Sequence, residues 1–282
     1  MDIRQIFLPV STYPDRVSET TLESTFRLAE ILGAKLTVRL SQLNADRATW
    51  PAVMGAFPLD FPHMMQELVT ISDLHAAASC ASLEALAIAY DVKLDLRRTL
   101  TTLYEAAAGV VDLARMHDLI VLPVPEINSF DRAWVEPVIF QSGRPVMLMP
   151  AEGRRLQCLD RVVVAWDYSR EAARALSDAL PILHHAREVQ VVTVFSEKHI
   201  QTTCVAADLD KYLSAHKIRY DLKQLTAGKE KIADILLHHA TEVNASLLVM
   251  GCYGHGPAQE FLLGGASRGV MRHPHLPVLL SH

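Results

Sequence analysis

Short blocks of consecutive apolar residues recur along the chain, separated by longer stretches whose apolar positions return every three or four residues. Blocks buried on both faces read as parallel strands, and the longer stretches read as amphipathic helices covering them. In the first half, Arg4 to Val10, Lys35 to Leu40, Val92 to Arg98, Asp118 to Pro123 and the terminal Pro145 to Pro150 fit strands. Val17 to Leu32 fits a helix, with Leu22, Phe26, Ala29 and Leu32 on one face and Gly33 as its stop, and Asp73 to Tyr90 and Thr102 to His117 follow it. In the second half the strands are Arg161 to Trp166, Val189 to Phe195, Arg219 to Leu225, Ser246 to Gly251 and Val278 to Leu280. Ser169 to Ala186 is a helix with Ser169 as N-cap and an apolar face of Ala172, Leu176, Ala179, Leu180 and Leu183. Val205 to His216, Lys229 to Glu242 and a short segment from about Ala266 complete the set. Strands alternating with helices predict an α/β protein, built as two tandem open five-stranded, mostly parallel sheets flanked by helices.

The two halves carry one pattern. Ile6 to Val10 matches Val162 to Trp166 at an offset of 156, Leu119 to Pro123 matches Leu247 to Gly251 at 128, and Pro145 to Pro150 matches Pro277 to His282 at 132. The order is conserved between the halves, so the chain is a tandem duplication, with domains expected at 1–150 and 158–282. The offsets give the first half 28 extra residues between its first and fourth strands and 4 fewer between its fourth and fifth. Most of the excess falls on Ser41 to Ser72, where Pro51, Pro58 and Pro62 interrupt Trp50, Met54, Phe57, Phe61, Met64 and Met65. This stretch is expected to be irregular, either a lid or contact surface or a cover for its own domain.

The 4-residue shortfall lies where the second half carries its glycines, in MGCYGHGPAQEFLLGGASRGVM from Met250 to Met271. A strand ends there, Gly251, Gly254, Gly264 and Gly265 follow, and a helix begins. Glycines let backbone amides approach a phosphate, and the unpaired amides of a helix start point at it. A glycine-rich turn with no ligand is the plainer alternative. In the first half, VPEINSFDRAWVEPVIFQSGRP holds one glycine, Gly143, together with Asp131 and Glu136, and offers no such cradle.

The spacing of Gly251, Gly254 and, nine residues on, Gly264 resembles the ATP-binding signature of the universal stress protein superfamily. That signature ends in Gly followed by Ser or Thr, whereas Gly265 follows here; Ser267 is the nearest hydroxyl. The resemblance is strong from Arg161 to His282, including WDYSREAARAL and RHPHLPVLL, and weaker over Met1 to Pro150. It implies ATP or another adenine nucleotide, with magnesium, as the ligand of the second half, or none if Gly265 disables the loop. It places Asp167 beside the adenosine part and Thr193 and Val194 beside the adenine, with Gly251, Gly254, His255, Gly264, Gly265 and Ser267 around the phosphates. It also implies that last strands pair across a two-fold axis, so the two copies are expected to pair with each other as a dimer-like monomer. A protein partner or self-association through the remaining surfaces is the further expectation.

Composition narrows the classes. There are 27 basic and 32 acidic residues, a net charge of −5 and no basic block, which argues against a nucleic-acid groove. The start MDIRQIFLPV is not a charged leader with an apolar core, and no run approaches the roughly 20 apolar residues of a membrane span. A cytoplasmic protein is expected. Cys80, Cys158, Cys204 and Cys252 are scattered, and only Cys252, inside the glycine loop, is a candidate redox or ligand-contacting thiol. His184 with His185 and His238 with His239 are adjacent on helices, whereas helical metal ligands sit three or four apart. No GxxxxGK[ST] loop is present, so catalysis beyond slow ATP hydrolysis is not expected. The function read from the sequence is a stress-response nucleotide sensor; a nucleotide-free interaction scaffold, or a slow ATPase or small-ligand enzyme using His255, are the alternatives.

Overall fold

The structure is a computed structural model that describes residues 2–44, 61–101, 106–124, 132–195, 206–252, 265–272 and 274–282. The first half runs β1 (Gln5–Ser11), α1 (Glu19–Leu32), β2 (Lys35–Leu43), α2 (Phe61–Ala89), β3 (Leu94–Thr101), α3 (Ala106–Ala114), β4 (Leu119–Val124), α4 (Arg132–Gln141) and β5 (Val146–Pro150). The second runs β6 (Arg161–Ala165), α5 (Arg170–Leu183), β7 (Glu188–Phe195), α6 (Ala206–Ala215), β8 (Asp221–Thr226), α7 (Ile232–Glu242), β9 (Leu247–Gly251), α8 (Gly265–Arg272) and β10 (Val278–Ser281).

The two five-stranded sheets join into one of ten strands, in the order β3-β2-β1-β4-β5-β10-β9-β6-β7-β8. Every neighbouring pair is parallel except the central one, where β5 and β10 run antiparallel with Val146 opposite Leu280, Met147 opposite Leu279 and Leu148 opposite Val278. The terminal strands of the two copies therefore pair with each other, as the two-fold arrangement required. Strand register reproduces the internal repeat. Ile6 pairs with Leu119 and Val162 with Leu247, while Ile120 pairs with Val146 and Leu248 with Val278.

Alternation along the strands sends side chains to two apolar layers, each shared by both halves. Ile6, Leu8, Leu36 and Val38 meet Leu22 and Phe26 of α1 on one face, with Val162, Val164, Leu176 and Ala179 beyond them. Phe7, Ile120 and Leu122 meet Val110 and Val138 on the other, with Val163, Leu248, Leu236 and Val270. The helices start where the sequence supplies caps. Ser18 accepts the Thr21 amide at the head of α1, and Ser169 accepts the Ala172 amide at the head of α5. Gly33, at φ 60°, closes α1 in the left-handed conformation that a side chain disfavours.

Two elements depart from expectation. Phe61 to Ser72, read from its prolines as irregular, belongs to α2. Pro62 sits in the first turn, where its missing amide is not needed. Met65, Val69, Ser72, Ala76, Ser79 and Leu83 then make a continuous buried stripe. The Ser72 hydroxyl bridges the Thr12 hydroxyl at 2.6 Å and the Leu43 amide at 2.9 Å, tying α2 to β1 and β2. Trp50, Met54 and Phe57 lie outside the described residues. The second departure is α4, which holds Pro137 and was not expected as a helix; its Val135, Val138 and Ile139 are buried, so tertiary packing outweighs weak local propensity. The extra length of the first half sits mainly between β2 and β3. Leu36 and its partner Leu94 are 58 positions apart, against 31 for Gln190 and Asp221.

Because Leu279 is fully buried on the central pair, truncating it to alanine is expected to cost about 2–5 kcal/mol in urea denaturation. Both halves should still unfold in one transition; two separated transitions would show that the central pair does not couple them. A pH dependence also follows. Burial holds the His117 imidazole, stacked on Phe7 at 5.1 Å, below its usual pKa, and burial does the same to His239. In each case the unfolded chain takes up the proton first, so stability is lost as pH falls below about 6.5 towards the folded-state values. Thermal melting at about pH 7.5 and 5.5 should show this loss, with a shallower slope in His117→Gln.

Candidate functional site

In the second half, β6 is flanked by β7 on one side and β9 on the other. The chain passes from β6 through α5 to β7, and returns through α7 to β9 on the far side, so the strand order reverses between β6 and β9. In an open parallel sheet the crevice beyond the carboxyl ends at such a reversal is the place where helix starts diverge and a ligand fits. Asp167 follows the end of β6 and Gly251 ends β9, so they flank this crevice. Thr193 and Val194 continue β7 just past the pair of Ala165 with Val192, and the Trp166 amide donates to the Val192 carbonyl at 2.8 Å.

Each residue has a physical reason for its position. Asp167 is exposed, and its Oδ1 accepts the Ser169 amide at 3.0 Å, which shapes the turn into α5. Tyr168 between them is held at φ 62°, and its ring meets Trp166 edge-on at 5.6 Å. Gly251 is required by the protein itself. A Cβ there would lie 2.5 Å from the Glu171 carbonyl carbon and 2.7 Å from the Ala172 nitrogen, so the bare backbone lets the first turn of α5 close onto β9. Ser267 in α8 is fully buried, and its hydroxyl donates to the Gly251 carbonyl at 3.5 Å. Thr193 is buried and Val194 partly so. Gly265 is the first residue of α8, whereas Gly254, His255 and Gly264 lie outside the described residues.

Two helix starts therefore converge on one crevice. The N-terminus of α5 is pressed against Gly251, and that of α8 is anchored to Gly251 through Ser267. Both present the partial positive charge of a helix start to the same rim, which can hold an anion without a lysine. The sequence did not reveal that Gly251 serves helix–strand packing, nor that Ser267 faces inward.

Cys252 changes role. It is fully buried beside Ser267, its amide donates to the Ser281 carbonyl at 2.7 Å, and burial pushes its thiol up to about 12. A thiol so held stays protonated at neutral pH and is a poor nucleophile, so the redox reading of Cys252 is corrected to packing. The histidine pair on α7 has local partners. His239 Nε2 bonds the Gln190 side chain at 2.5 Å and His238 Nε2 approaches Glu242 at 3.2 Å. Among the described residues no three His, Cys, Asp or Glu side chains gather as a metal site.

Register also shows what the first half has at the corresponding places: Ser11 stands for Asp167 and Pro123 for Gly251. The acid and the close-approach glycine are both replaced.

A doubly wound half with a crevice framed by two helix starts is the architecture of a nucleotide-fold domain. Residues 159–282 match the model of the universal stress protein family. Over its full length the chain is similar to a universal stress protein from Archaeoglobus fulgidus DSM 4304, with 18% identity, 98% of this chain and 97% of that one covered, and a TM-score of 0.69. It is also similar to a protein from Pseudomonas aeruginosa UCBPP-PA14 described as a putative universal stress protein, with 13% identity, coverage of 99% and 93%, and a TM-score of 0.58. No curated protein matches the chain. The chain as a whole thus has the fold of a tandem universal stress protein.

Gly251→Ala is expected to destabilise the protein by about 1–3 kcal/mol, since the added carbon meets backbone that cannot move aside cheaply. Urea denaturation measures it, and an unchanged midpoint would show that α5 has room to shift.

Proposed function

We propose that the second half, residues 158–282, binds an adenine nucleotide, ATP with magnesium foremost, and that the chain acts as a nucleotide-dependent regulatory module in a stress response. The observation that carries this reading is the crevice at the strand reversal, where the α5 and α8 N-termini meet at Gly251 within a universal stress protein domain. In this reading Asp167 contacts the adenosine part, and the ends of β7 at Thr193 and Val194 border the adenine. Gly251, Gly254, His255, Gly264 and Gly265 line the phosphates through backbone amides. Ser267 contributes by holding α8 against the end of β9. No general base is assigned, so hydrolysis is at most slow. The first half, residues 1–150, provides the packing partner and a surface for recognition. Cys80, Cys158 and Cys252 are free thiols, which suits the reducing cytoplasm.

One observation favours a second reading, a nucleotide-free scaffold. Gly265 stands where the family signature has a hydroxyl, and the Ser267 hydroxyl is directed to the Gly251 carbonyl.

Calorimetric titration of nucleotide-stripped protein with ATP and magnesium separates the two. One site per chain is expected, lost in a Gly254→Glu protein that stays folded. No binding by the wild type at millimolar ATP supports the scaffold, and full affinity in Gly254→Glu moves the site elsewhere.

A further inference from the structure

The first half lacks the glycine loop but holds a buried charge of its own. Arg39 lies in the middle of β2, opposite Pro9 on β1 and Arg97 on β3. It is only 7% exposed, yet its Nη1 has no hydrogen-bond partner, and the guanidinium forms no ion pair among the described residues. The described acids on β3 and α3 are engaged elsewhere. Asp95 on β3 accepts from Arg97 at 2.9 Å and Lys35 at 3.4 Å, and Asp112 on α3 pairs with Arg115 at 2.9 Å. An arginine cannot shed its proton to escape burial, so a guanidinium whose Nη1 is buried without a partner favours an anion beside it.

The surroundings are shaped for this side chain. A Cβ on Gly109 of α3 would lie 2.4 Å from Nη1 and 2.8 Å from Nη2, so the glycine provides the room in which the guanidinium rests. Gly109 is the fourth residue of α3, whose first-turn amides have no partners within the helix. Guanidinium and helix N-terminus thus reinforce one positive potential. Towards the carboxyl rim, Ser41 on β2 and Thr99 and Thr101 on β3 share the face of Arg39 and add hydroxyls. The second half has Val192 at the corresponding register position, paired with Ala165 as Arg39 is with Pro9. The charge therefore belongs to the first half alone.

We propose that the first half carries a phosphate-binding site at Arg39 and the first turn of α3, which takes inorganic phosphate or the terminal phosphate of a small ester. The planar fork of Arg39 would hold two oxygens, and the α3 amides a third. This site is independent of the nucleotide crevice of the second half.

Inorganic phosphate is titrated into the full-length protein and read by melting temperature and by binding affinity. Wild type is expected to gain stability with phosphate. Arg39→Met should bind about tenfold or more weakly and lose the stabilisation. Without phosphate, Arg39→Met should be at least as stable as wild type, because the uncompensated charge is gone. Gly109→Ala, whose added carbon displaces the guanidinium, should weaken phosphate binding in the same direction. Gly254→Glu should leave the phosphate effect intact. Glycerol 3-phosphate binding tighter than inorganic phosphate assigns the site to an ester, and equal binding assigns it to the free ion. The proposal is overturned if wild type does not respond to phosphate or if Arg39→Met responds equally. It is also overturned if Arg39→Met is equally destabilised with and without phosphate, which would mean that a carboxylate of the chain already neutralises Arg39.

Discussion

The antiparallel contact of β5 with β10 is the constraint on which the molecule depends. Every residue of β5, from Val146 to Pro150, is buried, and so is every residue of β10. A parallel five-stranded unit ending in such a strand would expose an apolar edge with unpaired amides and carbonyls, the arrangement most prone to uncontrolled pairing. Each half supplies the cover for the other. Layers that cross the seam, with Met147 and Leu279 on one face and Leu148 and Leu280 on the other, make the two halves one core.

That constraint leaves the far rims free to diverge. The seam fixes β5 and β10, these fix β4 and β9, and the register carries outward to β1 and β6 without a change. Loops at the carboxyl ends carry none of this pairing. They could therefore lose an acid, a glycine or a whole glycine-rich loop in one copy while the sheet remained intact. The second half keeps Asp167 and Gly251 where the first has Ser11 and Pro123. A fold doubled in this way can keep one site and alter the other.

Much of this was legible in the sequence, because strands buried on both faces leave long apolar blocks and the repeat offsets already encoded the register. The sequence repeat aligned Ile6 with Val162 and Leu119 with Leu247, and the strands pair these equivalent residues alike, Ile6 with Leu119 and Val162 with Leu247. The illegible parts have physical causes. Pro62 reads as a breaker, but a proline in a first helical turn disturbs no hydrogen bond, so α2 was read as starting too late. Pro137 concealed α4, whose helicity comes from burying Val135, Val138 and Ile139. In the candidate site, spacing pointed to Gly251 and Ser267, yet it could not say that the glycine answers to the backbone of α5 or that the hydroxyl turns inward. Those are facts of three-dimensional approach, and no periodicity records them. Arg39 escaped notice for a similar reason: one charged residue in a strand of alternating polarity looks like a solvent-facing position until α3 is seen to cover it.

The two halves also differ in how positive potential is made. In the second, it comes from backbone, through helix starts brought together at Gly251, and needs no cationic side chain. Such a cradle depends on loop length, so a deletion of a few residues removes it altogether. In the first, it comes from a side chain, and Arg39 in place of a valine with Gly109 opposite is enough to create it. A side-chain site tolerates the shortened loop that abolishes a backbone one, which accounts for a charge lying beneath the half that lacks the glycines. The cost of burying Arg39 falls on the half whose other duties are structural, and the shared seam spreads that cost over a core twice the size of either domain.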